Sequence, residues 1–310
     1  MHFVFMVKET FIPPDGKDVR EHKMTYFAPG SGLYSLLRIP KTLKVVSDCW
    51  MSAEKNLQSE VRSNFPNVDE EFITRFFHGK FAAELQEASQ TRRIASAFLA
   101  DLESFFPDLW GSSELRRIAN GLIADVKLHG RTTERITGGD LGFVIIRPQV
   151  SHRGSSLSIR EYRRGLLCQA KLRNEKGAWG HFTQNQKRVL PGRLGYLGLL
   201  LYSYEDTQRR NLHDFRWYVC SGSESMRQLE EYLKRDTFPS LVESDSIIQG
   251  VGQGKIGTDN KDILDKIVSP ARNPTLTITI SWPPGGHPGS QVYVHAKAQQ
   301  QVQVQIRQRY

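Results

Sequence analysis

Asp140, Gln169 and Lys171 are the residues of this chain whose types and spacing best suit chemistry. Gln169 and Lys171 stand in "RRGLLCQAKLRN", residues 163–174, a short apolar run between arginines and further charge that reads as an interior strand. Alternation along a strand points both to one face, with Ala170 on the other. A buried amide and a buried ammonium are each costly without partners. Asp140 comes 29 positions before Gln169, beside a glycine pair in "TTERITGGDLGFVI", residues 132–145, at the mouth of another strand. If the two strands are hairpin neighbours, the Asp140 carboxylate and the Gln169 carbonyl meet and hold a divalent cation, with Lys171 beside it. Mg²⁺ suits such a set, because it takes hard oxygens and usually only one or two carboxylates. A Gln carbonyl is a weaker ligand than an acid, so Glu134, six residues before Asp140, is the candidate second acid. A metal held there lowers the pKa of its water and stabilises charge on a phosphoryl oxygen. Lys171 would orient that water or act on the same charge.

The elements that must position these residues are legible as changes of period. Residues 1–45 mix short apolar runs with "IPPDGKD" and "APGSG", which predicts a strand or two and turns. From Val68 to Phe106, apolar residues recur at helical spacing with almost no breakers, although His78-Gly79 marks a possible interruption. "SSELRRIANGLIADVKLHG" predicts a further helix capped at Ser113, striped by Leu115, Ile118, Leu122, Ile123 and Val126, and closed by Gly130. "LGFVIIRPQV" then reads as a strand ended by Pro148, "SHRGSSLSIR" as a polar connection, and "EYRRGLLCQAKL" as the next strand. A loop and short helix follow, then two strands, "GRLGYLGLLLYSYE" and "HDFRWYVCSG", and the amphipathic helix "SESMRQLEEYLKRD". The last seventy residues carry a glycine-rich stretch, the short helix "DILDKIV", the strand "TLTITISW" and an alternating Gln-rich tail. This order predicts an α/β fold in three parts: 1–67 a mixed N-terminal segment, 68–240 helices and the core bearing residues 134–171, and 241–310 a small mixed C-terminal extension.

Composition narrows the function classes. At 39% hydrophobic and 24% charged the chain is that of an ordinary soluble protein, and no apolar run approaches the roughly 20 residues of a spanning helix. The start, "MHFVFMVKETF", lacks a basic region followed by an adequate apolar segment, so no secretory signal and a cytoplasmic location are expected. Cys49, Cys168 and Cys220 are widely spaced, which argues against a disulfide framework and a structural zinc site. The net charge of +9 favours polyanionic partners, and residues 151–193 hold ten Lys or Arg against two acids. Arg163, Arg164, Lys187 and Arg188 are the candidate phosphate contacts, holding a backbone without reading its sequence.

The residues "E-x2-TGGD" followed by "GLLCQAK" resemble the core of the PD-(D/E)XK nucleases, in the Q-x-K variant typical of Mrr-like restriction endonuclease domains. The resemblance covers roughly residues 114–220. It implies a restriction endonuclease-like central mixed sheet flanked by helices, a double-stranded DNA substrate, and phosphodiester hydrolysis with Mg²⁺, for which Mn²⁺ would substitute. By position, Asp140 matches the motif's Asp, Gln169 its variable acid and Lys171 its lysine. Glu134 matches the upstream acid, with Glu114 and Asp125 as rivals on the preceding helix. Gly-Gly-Asp stands where Pro-Asp or Ala-Asp is commoner, and Gln replaces an acid. Family habit adds a setting in prokaryotic restriction or antiphage defence, a homodimer or larger complex with a partner protein, and no membrane. The alternative is a non-catalytic nucleic-acid-binding or assembly subunit with a degenerate nuclease fold, which the amide at Gln169 favours.

Other stretches are weaker. "GVGQGKIG", residues 250–257, has a glycine-rich look, yet Ile256 stands where a phosphate loop needs Ser or Thr, so a turn is expected. Trp179 and His181 suit loop packing better than base stacking, and Trp217 suits the core. Ser221 and Ser223 have no G-x-S-x-G setting.

Overall fold

The computed structural model describes residues 35–64, 70–129, 141–153, 156–173, 176–204, 212–268, 275–284, 286 and 291–293. β1 (Ser35–Leu36) leads into α1 (Pro40–Asn64). A first-turn proline loses no helical hydrogen bond, and Leu43, Val46, Trp50, Ala53 and Leu57 bury one stripe of α1 at helical spacing. The helix thus begins inside the stretch expected to be strands and turns, because its period shows only when followed beyond residue 45. Its N-terminus is capped from 60 positions away: the buried Asp101 carboxylate accepts the N–H groups of Lys41 and Thr42, each at 2.9 Å. α2 (Glu70–Gln90) runs through His78-Gly79 without a break. The interruption falls instead at Arg92, whose φ of 61° turns the chain into α3 (Arg93–Phe105), home of Asp101.

The helix expected over residues 113–130 is two elements. α4 (Ser113–Ala119) is capped by Ser112, which accepts from the Leu115 N–H, rather than by Ser113. The chain then turns at Gly121, with φ of +79°, into β2 (Ile123–His129). Leu122, Ala124 and Val126 are buried while Asp125 and Lys127 are exposed, an alternation of two. Leu122 and Val126 satisfy both periods, and the Asn120-Gly121 turn decides between them.

β3 (Leu141–Arg153) passes through Pro148 instead of ending there, and together with β4 (Ser156–Arg173) it takes up most of the expected polar connection. Pairing of β3 with its later neighbour stops at Ile146, so no ladder on that side needs a Pro148 N–H. α5 (Gln184–Val189) and a 3₁₀ turn, Pro191–Tyr196, lead to β5 (Leu197–Tyr204), followed by β6 (Leu212–Val219) and α6 (Met226–Arg235). α7 (Ser244–Gly252), α8 (Lys261–Val268), β7 (Thr275–Ser281) and β8 (Gln291–Tyr293) complete the described chain.

The fold is α/β, built on a mixed sheet of order β2-β7-β3-β4-β5-β6. β7, drawn from the last forty residues, occupies an interior position, antiparallel to β2 and parallel to β3. β4 and β5 are parallel, with α5 in the crossover between them, and β5 and β6 are antiparallel. Helices cover both faces. Trp217 meets Ser244 of α7 on one side, while its neighbour Tyr218 packs with Leu229 and Leu233 of α6 on the other. The chain divides into two compact units, residues 37–149 with 160–288, and residues 1–36 with 150–159 and 289–310. Within the smaller unit, β1 pairs with the end of β3 and β8 with the start of β4, both antiparallel. No helix among the described residues is long and apolar enough to cross a membrane.

A second buried acid, besides Asp101, lies in the larger unit. Glu54 of α1 is 7% exposed, and its Oε1 accepts from Trp50 Nε1 at 2.8 Å and Ser244 Oγ at 2.6 Å. Burial raises its pKa to about 7 against the opposing effect of these two donors, and nearby Glu243 and Asp245 push the same way as burial. A raised folded pKa means that the native state binds more protons than the unfolded state between the ordinary carboxyl value of 4.5 and about 7. This group's contribution is therefore intact at low pH and declines as pH rises through that window. Glu54→Gln is expected to melt progressively higher than the native chain between pH 5 and pH 8, by thermal unfolding. A difference independent of pH would contradict the assignment.

Candidate active site

Gln169 and Lys171 lie on one face of β4, paired with Leu199 and Leu201 of β5. They are 2% and 6% exposed, so the expected strand burial of an amide and an ammonium holds. Lys171 Nζ donates to the His181 carbonyl at 3.1 Å and to Gln186 Oε1 at 3.3 Å, and lies 4.6 Å from the Phe182 ring centroid. Gln186 Nε2 donates to Gln169 Oε1 at 3.0 Å, and Gln169 Nε2 donates to the Ala170 carbonyl at 3.3 Å. One side chain from α5 therefore joins the two residues of the strand.

Gln186 is held by the start of its own helix. Thr183 and Gln186 form a capping box: the Gln186 N–H donates to Thr183 Oγ1 at 3.2 Å, and the Thr183 N–H donates to Gln186 Oε1 at 3.0 Å. Gln186 Oε1 thus accepts from both a backbone N–H and an ammonium, and its amino group is spent on Gln169. At 2% exposure it belongs to the site and not to a solvated helix face. The T-x-x-Q spacing of residues 183–186 is the sequence signal for it, since it places a Gln on the first turn of the helix that follows Lys171.

Asp140 and Glu134 lie outside the described residues. Of their rivals, Asp125 is exposed on β2, three strand spacings from β4, or about 14 Å. The structure does not bring it to Gln169. Glu114 is half-buried on α4, where Ser113 Oγ donates to its carboxylate at 3.3 Å. Among the described residues, no group of three or more His, Cys, Asp or Glu is arranged to hold a metal ion.

The basic candidates separate by their contacts. Arg164 is tied into the protein, donating to the Ile256 carbonyl at 2.5 Å, the Gly257 carbonyl at 2.7 Å and Tyr162 Oη at 3.1 Å. Lys187 pairs with Glu230 of α6 at 2.5 Å. Arg163 is exposed beside Glu161, on the Gln169 side of β4 by strand alternation, and Arg188 is exposed with a bond to Asn185.

The glycine-rich stretch is a turn clipped to β4. Gly165 and Thr258 exchange backbone hydrogen bonds of 2.9 and 2.8 Å, and a Cβ at Gly257 would stand 2.2 Å from the Gly165 carbonyl oxygen. That close approach and the φ of +77° at Gly257 account for its glycine. Trp179 Nε1 donates to Asp236 and its ring packs against the core under α6, while Trp217 is buried as expected. Ser221 and Ser223 bond each other on the surface. Burial pushes the Cys49 thiol up to about 11 and the Cys220 thiol further, so neither is a thiolate near neutral pH.

No family model, curated protein or solved structure matches this chain. Gln186→Met is expected to lower stability by about 1–3 kcal/mol, because it strips partners from a buried amide and a buried ammonium. Urea unfolding reads this as a lower midpoint, and an unchanged midpoint would mean that the bridge carries no weight.

Proposed function

We propose that the chain is a metal-dependent DNA endonuclease of the restriction endonuclease-like class. The observation that carries the reading is the buried Lys171–Gln186–Gln169 bridge on β4. A soluble protein rarely buries an ammonium beside two amides unless that face has work to do. Its position supports the same reading. A Cβ at Gly165 would lie 3.1 Å from a Val144 methyl, so these two residues are neighbours across β3 and β4. With two residues between the strands in sequence, β3 and β4 run in opposite directions. Counting four residues on from Gly165 reaches Gln169, and counting four back from Val144 reaches position 140. Asp140 is accordingly the acid of this proposal, with Glu134 as the second.

In this reading Gln169 Oε1 and the Asp140 carboxylate supply hard oxygen ligands for Mg²⁺ or Mn²⁺. A carbonyl oxygen has two lone pairs, so accepting the Gln186 N–H is compatible with ligation. Bound there, such an ion would supply an activated water and charge stabilisation at phosphorus. Lys171, its ammonium fixed by the His181 carbonyl and Gln186, would donate to the scissile phosphate or hold the attacking water. Arg163 and Arg188, the exposed members of the basic set, would contact the backbone on either side. A setting in restriction or antiphage defence, with a second copy or a partner protein, follows from the family resemblance alone.

A second reading, a non-catalytic DNA-binding subunit, is favoured by one observation. Gln169 already serves Gln186, which is how a retired site would keep its fold. Plasmid incubated with Mg²⁺ separates the two readings. We expect cutting that EDTA abolishes and that Lys171→Ala and Asp140→Asn each lower by roughly 10²-fold or more. Binding without metal-dependent cutting would select the second reading. Replacing Arg163 and Arg188 by Gln should reduce the slope of log affinity against log salt by nearly 2, at about 0.9 for each duplex phosphate released. An unchanged slope would remove this surface from the account.

A further inference from the structure

α3 and α4 flank an open groove of about 510 Å³ lined by Arg92, Ala95, Ser96 and Leu99 on one side and Ser113, Arg116, Arg117 and Asn120 on the other. Each set recurs at helical spacing, so each is a single helix face. These faces point away from the core, which takes Ile94, Phe98 and Leu102 of α3 and Leu115 and Ile118 of α4. Ala95, Ser96 and Ser113 in this lining are small, which lets a ligand backbone approach closely. Three exposed guanidinium groups line the groove, and no carboxylate does; the nearest by sequence, Glu114, is turned to Ser113 Oγ. Planar guanidinium forks match phosphate oxygens two at a time. Close in sequence to the Ser113 end of the groove is Trp110, 75% exposed and so the most open large apolar side chain among the described residues. It lies three residues before Ser113, hence within about 11 Å along the chain. An exposed indole within a few residues of an arginine-lined groove suits a base stacked next to held phosphates.

We propose that the groove between α3 and α4 binds a single-stranded nucleic-acid segment, with Arg92, Arg116 and Arg117 on its phosphates and Trp110 stacked on a base. This binding is independent of the nuclease reading, since it needs neither a metal nor Lys171. The size agrees, because about 510 Å³ lies in the range of ligand pockets and seats about one nucleotide of a strand that runs on past it. A duplex would keep its bases out of reach of the indole, and an acidic protein segment would leave Trp110 without a role.

The test is fluorescence anisotropy of a labelled 12-mer of single-stranded DNA with the full chain in EDTA. The triple replacement Arg92→Gln, Arg116→Gln, Arg117→Gln should weaken binding about tenfold and lower the salt slope by about 2, at roughly 0.7 for each single-strand phosphate. Trp110→Ala should weaken binding at least fivefold with the slope unchanged. In the native chain the oligonucleotide should quench tryptophan emission, and Trp110→Phe should abolish most of that quenching. All four positions are exposed, so melting temperatures should stay within a degree or two of the native chain. Unchanged affinity and slope in the triple variant would overturn the proposal. So would a poly-glutamate peptide that displaces the oligonucleotide through the same arginines while Trp110→Ala changes nothing. Plasmid cutting lost in Lys171→Ala with 12-mer binding intact supports a separate groove site, and a native chain that binds the 12-mer through these residues yet never cuts plasmid would overturn the nuclease reading alone.

Discussion

A buried ammonium must be surrounded by acceptors, and the satisfaction of Lys171 shapes this part of the molecule. The segment immediately after β4 supplies partners for it, with the His181 carbonyl, the Phe182 ring and the Gln186 amide converging on Nζ. That segment must therefore fold back over the strand before the chain can return as β5, and α5 begins where Thr183 and Gln186 cap one another. The crossover between two parallel strands and the site thus have one physical origin. The amide that closes the capping box is the amide that orients Gln169.

Arg147 solves the same problem elsewhere on the sheet. At 4% exposure, it donates to the carbonyls of Gly252, Leu37 and Pro148 and stacks 4.5 Å from the Tyr162 ring. Burial lowers its pKa to about 10, so it remains a cation at neutral pH. Both sites meet a cation with backbone carbonyls and an aromatic face. They differ in setting. Arg147 donates to the last carbonyl of α7, where the helix dipole favours positive charge, and so serves as a clamp. Lys171 stands with two amides on a face that leads toward the start of β3. A guanidinium is the better permanent cation and an ammonium the better chemical group, which fits a structural part for one and a catalytic part for the other.

The sequence was legible where one local rule decided the outcome. β4 to β6, α5, α6 and α8 follow from period and capping residues, and the burial of Gln169 and Lys171 follows from the apolar run before them. Misreadings occurred where two rules competed. Leu122 and Val126 fit a helix or a strand, and only the turn at Asn120-Gly121 separates α4 from β2. The outer parts of β3 and β4, polar and passing through Pro148, carry no alternation to announce them. Other features are invisible to local reading because their cause is distant. Asp101 caps a helix some sixty residues earlier, β7 is chosen by partners on both sides, and the glycine at 257 is required by the backbone of β4 at residue 165. Gln186 was within reach, since its capping box is local, but its bond to Gln169 depends on where α5 docks.

The central claim is that Gln169 and Lys171 are arranged for a cation and not merely for packing. Crystals grown with Mn²⁺ and a short DNA duplex, measured at the manganese absorption edge, test it most directly. The account predicts an anomalous peak about 2.2 Å from both Gln169 Oε1 and an Asp140 carboxylate oxygen, with Lys171 Nζ directed at a phosphate or water on that ion. Strong manganese peaks elsewhere, with none beside Gln169 and its amide unmoved from Gln186, would contradict it.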